Sequence, residues 1–344
     1  MPLPPVSIVI VSWNGRGLLE RFLPSVLATN YPSFEVVVAD NASTDGSVAW
    51  LADAHPAVRV VQHPENWLFA RGNNMAVAQT ASPYVCLLNN DVETPPDWLT
   101  PLVEVLDANG DVAAVQPKLL QHTNRTHFEY AGASGGFLDA VGYPFARGRL
   151  FSTLEKDKGQ YNDARDICWA TGACLLARRC AFEEAGGLDE RFEMHVEEID
   201  LCWRLWRMGW RIRVEPKSTV YHLGGASLPQ GKPRKTYLNF RNSLLMLFKN
   251  TPASEWPRVF RKRKRLDTLA LARGLVIGGP AEASAIRRAH RDARLLFEHY
   301  ADERPADAVP STMPRYEHSI AVDYFFKGRR HFGDLASNML NPSD

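Results

Sequence analysis

Cysteine is scarce in this 344-residue chain: Cys86, Cys168, Cys174, Cys180 and Cys202 are the whole set. An odd number without Cys-x-x-Cys spacing argues against a disulfide framework or a zinc ribbon, and their apolar neighbours predict reduced thiols in a core. Long hydrophobic runs are also missing. The longest, Val6–Trp13, falls well short of the ~20 residues that a membrane-spanning helix needs. No Lys or Arg precedes Arg16, so the charged start of a secretory signal is absent and a cytoplasmic location is expected. Gly and Pro, 23 each, follow no repeat, and hydrophobic residues make up 45% against 23% charged. Collagen-like, coiled-coil and disordered chains are thereby excluded, leaving a soluble globular protein of one large or two smaller domains.

A net charge of +1 hides an asymmetry. Residues 1–120 hold 5 Lys and Arg against 12 Asp and Glu, a balance of −7, whereas residues 258–294 hold 11 against 3, a balance of +8. The basic stretch adjoins the apolar Leu266–Gly279 and suits either an anionic membrane surface, a pyrophosphate-bearing molecule or a plain solvated helix face. Its one aromatic residue, Phe260, offers little for bases to stack on, which argues against nucleic acid.

Short β-branched runs alternate with amphipathic stretches through residue 120. Strands are expected at Val6–Trp13, Phe34–Ala39, Val58–Gln62, Tyr84–Leu88 and Val112–Val115, and helices at Leu18–Ala28, Ser47–Ala54, Asn73–Thr80 and Trp98–Asn109. Strands that are apolar throughout imply a mostly parallel sheet buried on both faces, a Rossmann-like α/β fold. Residues 121–165, rich in Gly and aromatics, predict a hairpin or acceptor-side loop. Beyond them, a strand at Ala173–Ala177, helices at Cys180–Ala185 and Val196–Met208, short strands at Arg211–Val214 and Thr219–His222, and a helix at Lys235–Asn250 are expected. This divides the chain into a 1–250 domain (halves 1–120 and 121–250) and a basic, mostly helical 251–344 extension, loop-like at Glu303–Pro314.

Open α/β sheets bind ligands at the carboxyl ends of their strands. Polar, turn-forming residues collect there: Ser12 and Asn14 after the first strand, Asp40 and Asn41 at the second, Asn66 through Asn74 with Arg71 after the third, and Asn89-Asn90-Asp91 after the fourth. Asp40 suits either a base or ribose contact or a turn cap. Asp91 could hold Mg²⁺ or Mn²⁺, which commonly take one or two carboxylates plus substrate phosphates, or could form an Asx turn. Arg71 is either a diphosphate clamp or a surface charge. Glu197 and Glu198 open a helix; side chains of neighbours there diverge by about 100°, so one of the two can serve as a general base. Asp200 and Arg204 are spaced to pair. His222 precedes Gly224-Gly225 and is either a ligand or a core residue, and Arg241 and Asn242 are weaker candidates.

These pieces together resemble the family 2 glycosyltransferases, inverting enzymes of GT-A fold, and within them the rhamnosyltransferase-like group. The matching segments are Val9–Asn14, Val38–Ser47, Gly72–Asn74, Leu87–Asp91, Thr171–Ala173, Glu197–Arg204 and His222–Gly225, in the family's order over roughly residues 5–250. The resemblance implies that Asp40 contacts the nucleotide base, with Ser12, Asn14, Asn41, Arg71, Asn74 and Asn90 around the donor. It implies that Asp91 is the last carboxylate of an Asp-any-Asp metal motif whose first position here is Asn89, with His222 as a second ligand. It implies Glu198 as the base in place of the family's usual Asp, with Glu197 as the other candidate, and Thr171, Gly172 and Ala173 on the acceptor side. The expected activity is inverting transfer of a sugar, rhamnose first, from a nucleotide-diphosphate sugar to a glycan or lipid-linked acceptor, the enzyme being cytoplasmic and peripheral on the inner membrane face. A sugar nucleotidyltransferase and a non-catalytic nucleotide-sugar binder are the alternatives.

Overall fold

A computed structural model describes residues 3–224, 233–305 and 312–338. Gly225 and part of the Glu303–Pro314 segment lie outside them. The first half runs β1 (Val6–Ser12), α1 (Arg16–Leu27), β2 (Phe34–Asp40), α2 (Ser47–Ala54), β3 (Arg59–Gln62), α3 (Leu68–Val77), β4 (Tyr84–Leu88), β5 (Val92–Glu93), α4 (Leu99–Ala108) and β6 (Val112–Gln121). Side chains alternate across each strand. Val9, Val37, Val85 and Leu87 accordingly enter one apolar cluster, while Ile8, Ile10, Val38 and Leu88 enter another on the opposite face. Both faces are buried, as continuous apolar strands require.

The 121–165 region forms a small antiparallel sheet, β7 (Gly136–Leu138), β8 (Pro144–Ala146), β9 (Arg149–Leu150) and β10 (Thr153–Leu154). The chain returns to the main sheet as β11 (Arg165–Asp166) and β12 (Cys174–Arg178), followed by α5 (Arg179–Glu184), α6 (Glu197–Arg207) and β13 (Arg211–His222). The main sheet is ordered β11-β13-β6-β12-β4-β1-β2-β3, with β5 paired to β13. β1, β2, β3 and β4 pair in parallel, as do β6 and β13, but β12 runs antiparallel between β4 and β6.

Three elements depart from expectation. The two short strands expected around Pro216 are one strand, β13, whose ladder shifts register between Glu215 and Thr219. α3 begins at Leu68, earlier than Asn73, following an Asx turn in which the Asn66 side chain accepts from the Leu68 N–H at 3.0 Å. Cys180 is exposed on α5, whereas the other four thiols are buried.

The last helices are α7 (Pro233–Asn250), α8 (Trp256–Arg273), α9 (Pro280–Phe297) and α10 (Ile320–Phe325). Tyr300, Tyr316, Ile320 and Tyr324 share one apolar cluster with Phe137 and Phe145 of the small sheet and with Leu201 and Leu205 of α6. The basic extension thus packs against the element that carries the candidate base.

Candidate active site

The carboxyl edge of the sheet is tied together strand by strand. The Asn41 N–H donates to the Ser12 carbonyl at 2.8 Å, and Asn90 Nδ2 donates to Ser12 Oγ at 3.1 Å. Asn14 takes a left-handed conformation (φ 47°) and binds the β2 loop, donating its N–H to Ser43 Oγ and accepting from Thr44 N–H, both at 2.8 Å. Gly15 lies close against the Ser12–Asn90 pair: a Cβ there would sit 2.4 Å from Ser12 Oγ and 2.6 Å from Asn90 Nδ2, so that their bond would have to shift. Asp40 is buried and accepts from the Ser43 N–H at 2.9 Å, while Asn41 Oδ1 is buried without a hydrogen-bond partner.

Two of the candidates stand apart from this edge. Asn74 is engaged with the turn before α6, donating to the Leu188 carbonyl at 2.8 Å and accepting from the Leu188 N–H at 2.9 Å. Arg71 is exposed, stacked 4.2 Å over Trp67 and 3.8 Å from Glu190, contacts it would have to leave to reach a diphosphate.

Asp91 and His222 meet where β5 pairs with the end of β13: His222 Nε2 lies 3.0 Å from Asp91 Oδ1. On the ring's other side Glu129 Oε2 lies 3.3 Å from Nδ1. Glu129 is buried, accepts from the Ala131 N–H, and was not singled out in the sequence. Its only signal was a lone carboxylate between Phe128 and Tyr130. Burial opposes charging His222, but the two carboxylates outweigh it and push the imidazole up to about 10. For Asp91 burial likewise opposes ionisation, yet the His222 bond and charge, with backbone N–H groups, hold the carboxyl below its ordinary range.

Asp91 and His222 offer the oxygen and nitrogen a divalent cation takes, provided that its binding displaces the proton that the two carboxylates hold on the His222 ring. Among the described residues no three His, Cys, Asp or Glu side chains are grouped as a metal site. The cation would therefore rest on Asp91 and His222, the other positions falling to the donor's phosphates. Glu129 behind Nδ1 is the kind of carboxylate that orients a ligating histidine.

The candidate base is set up by backbone strain. Glu193, His195 and Val196 all have left-handed φ (64°, 70° and 77°) immediately before α6. Such conformations persist only where surroundings enforce them. Here α7 does so: Asn242, fully buried, donates to the carbonyls of Phe192, Met194 and His195 at 2.8, 3.0 and 2.8 Å, and Arg241 pairs with Glu193 at 2.7 Å. Farther along α6 Asp200 and Arg204 pair at 2.8 Å, as their spacing suggested.

Glu197 and Glu198 thus project from a helix N-terminus, and one oxygen of each, Oε2, is buried without a hydrogen-bond partner. Burial raises both carboxyls, and the neighbouring Glu198 charge lifts Glu197 further. Glu198 alone gains N–H bonds from several backbone groups, Gly172 among them, which favour its ionised form. Gly172 lies against Glu198 and Phe69; a Cβ would be 3.7 Å from Glu198 Cβ and 3.1 Å from Phe69 Cζ. Thr171 is buried, its N–H bonded to Gln116 Oε1 at 3.0 Å, and the Ala173 carbonyl accepts from Asn89 N–H at 3.0 Å. The Thr171–Ala173 turn therefore connects the base to the Asn89–Asp91 loop. His195, with its Nε2 unpartnered, is lowered to about 4 by burial and the Lys235 charge, so a neutral imidazole precedes the acid pair. A separate cavity of about 400 Å³ lies behind α6, lined by Trp203, Arg207, Arg258, Lys262 and Arg315; none of the candidates lines it.

Comparison with known proteins bears on the family and the fold. The model of glycosyl transferase family 2 matches residues 7–186. N-acetylglucosaminyl-diphospho-decaprenol L-rhamnosyltransferase of Mycobacterium tuberculosis (strain CDC 1551 / Oshkosh) is 28% identical over 309 residues, covering 85% of this chain and 98% of its own. O-antigen biosynthesis protein RfbC of Myxococcus xanthus is 32% identical over 230 residues, covering 65% of this chain and 18% of its own. Among solved structures, the mannosyltransferase PcManGT of Pyrobaculum calidifontis, in complex with GDP-Man and Mn²⁺, has a TM-score of 0.51 at 20% identity, covering 87% of this chain and 80% of its own. GalNAc-T7 with UDP, GalNAc and Mn²⁺ has a TM-score of 0.57 at 16% identity, covering 86% of this chain and 56% of its own. With the GT-A architecture and a family match over more than half its length, the chain belongs to glycosyl transferase family 2 and is a glycosyltransferase.

Proposed function

We propose that this enzyme transfers a sugar, rhamnose first, from a nucleotide-diphosphate donor to a hydroxyl of a glycan or lipid-linked acceptor, with inversion. The observation that carries the reading is Glu198: a half-buried carboxylate in the first turn of α6, packed against Gly172 of the acceptor-side turn, with Oε2 itself buried and unpartnered. Glu198 Oε2 takes the proton of the acceptor hydroxyl as that oxygen bonds to the anomeric carbon, and the bond to the diphosphate breaks on the opposite face. Glu197, raised by burial and by the neighbouring Glu198 charge, is the other candidate for the base. Mg²⁺ or Mn²⁺ at Asp91 and His222 would neutralise charge on the departing diphosphate. Asp40 and Asn41, the latter with its unpartnered Oδ1, face the nucleoside, and Ser12, Asn14 and Asn90 hold the strand ends around it.

Rhamnose and a diphospho-lipid acceptor are supported by the Mycobacterium tuberculosis relative, which the chain matches nearly end to end. Deoxythymidine-diphosphate-rhamnose is the first donor to try. Such an acceptor places the enzyme on the cytoplasmic membrane face, although among the described residues no helix is long and apolar enough to cross a membrane.

Glu198→Gln tests the assignment. Transfer should fall by roughly 10²–10⁴-fold, the usual worth of a general base, with donor affinity unchanged. Glu197→Gln should retain most turnover. A Glu198→Gln enzyme with wild-type turnover would overturn the reading.

A further inference from the structure

We propose that the α8–α9 hairpin docks the enzyme on an anionic lipid surface, with its apolar tip entering the headgroup layer. The proposal gives a place to the lipid-linked acceptor and rests on that reading for its purpose.

The hairpin has two distinct faces. Inward, Arg263 and Asp267 of α8 are buried and paired at 3.0 Å. Arg263 also donates to Ser243 Oγ at 2.7 Å and to the Val141 carbonyl at 3.2 Å, and Asp267 accepts from the Tyr143 hydroxyl and lies 2.8 Å from His290 Nε2 on α9. This network fixes the helix's rotation. Outward, Arg261, Lys262, Lys264 and Arg265 are all exposed. Of the 11 Lys and Arg between 258 and 294, only Arg263 is buried, so the positive balance of that segment is presented to solvent.

The tip is apolar. A single π-type turn, Gly274–Gly278, leaves Leu275, Val276 and Ile277 at 53%, 86% and 70% exposure. The turn is sharp because Gly279 takes φ +80° and a Cβ on Gly278 would strike Glu282 Oε2. Arg273, just before the tip, stacks 5.4 Å over Phe325, and Phe326 beyond it is 70% exposed, followed by the exposed Lys327. Three successive exposed aliphatic side chains, with phenylalanines alongside and cations behind, are unusual on a surface that meets only water. They match an interfacial element, whose apolar groups enter the acyl boundary while its Lys and Arg meet anionic headgroups. A second copy of this chain would bring the same positive face, and like charges oppose that pairing.

The test uses the full chain with vesicles of phosphatidylcholine, with or without phosphatidylglycerol, at low and high salt. The enzyme should sediment with the anionic vesicles and be released by salt, through screening of the charge attraction. Val276→Asp with Ile277→Asp should weaken retention roughly tenfold or more, and reversing Arg261, Lys262, Lys264 and Arg265 to Glu should abolish the preference for anionic lipid. Both variants should transfer normally to a soluble acceptor analogue. Retention unchanged in the tip variant, equal binding to neutral vesicles, or a tip variant that breaks up an oligomer without altering lipid binding would each overturn the proposal. Lipid binding that depends on the tip in an enzyme that transfers no rhamnose to a lipid-linked acceptor would support the docking and refute the proposed donor and acceptor instead.

Discussion

Asn242 offers the most direct check on how the base is held. Its side chain is fully buried, donates to three carbonyls of the strained segment and accepts from Arg241 Nε at 2.9 Å. Asn242→Ala would take the donor from the Met194 and His195 carbonyls at about 1–3 kcal/mol each, offset in part by water entering the space, while the Phe192 carbonyl keeps the Met194 N–H and Arg241. The three left-handed residues hold strain of order 1–3 kcal/mol apiece, which the segment would release by relaxing. A net destabilisation of ~3 kcal/mol and a shift of Glu198 follow. Since misplacing a catalytic group by about 1 Å can lower rate ~10²-fold, kcat should fall about 100-fold while donor KM changes little. Ile320→Ala is the control: it empties a fully buried site in the apolar cluster shared with α6, at ~2–5 kcal/mol, and removes no side-chain hydrogen bond to the strained segment. Steady-state kinetics well below both Tm values should show normal kcat for the control. If Asn242→Ala loses no more kcat than Ile320→Ala, or if KM shifts as much as kcat, the positioning argument fails.

Two further expectations concern the cation and the proton. Asp91→Ala should abolish transfer and weaken donor binding, and calorimetry should show that chelator imposes the same loss on the wild type; full turnover in chelator would remove the metal from the scheme. Because burial raises Glu198, the group that must be ionised to accept a proton, kcat should fall as pH drops through a midpoint above the ordinary glutamate value of 4.5. A pH–rate profile with its acid limb at or below that value would contradict Glu198 as the base.

The parallel strands were legible because β1, β2 and β4 are apolar on both faces and end in polar turns. β12 was legible as a strand but not as an antiparallel one, since direction is set by the partners it slots between and not by its own residues. Pro216 made β13 look like two strands; the ladder absorbs that break as a register shift. The meeting of Asp91 and His222 was foreseeable only through family resemblance, their positions being 131 apart in the chain. Glu129 was missed because a single acid in an aromatic loop has no spacing to mark it. Asn242 was noticed but could not be ranked, because its importance lies in three left-handed residues that no local pattern announces.

The β5–β13 pairing sets Val92 opposite His222 and Glu93 opposite Tyr221. Strand residues alternate sides, so deleting one residue between Thr219 and His222 would turn the imidazole to the opposite face and present a neighbour to Asp91. Between Glu215 and Thr219 the ladder already skips, and a change of length there need not propagate. β13 is therefore tolerant of insertion at its middle and intolerant at its end, a mechanical tolerance that isolates the His222 terminus from drift in the loop chemistry around Pro216.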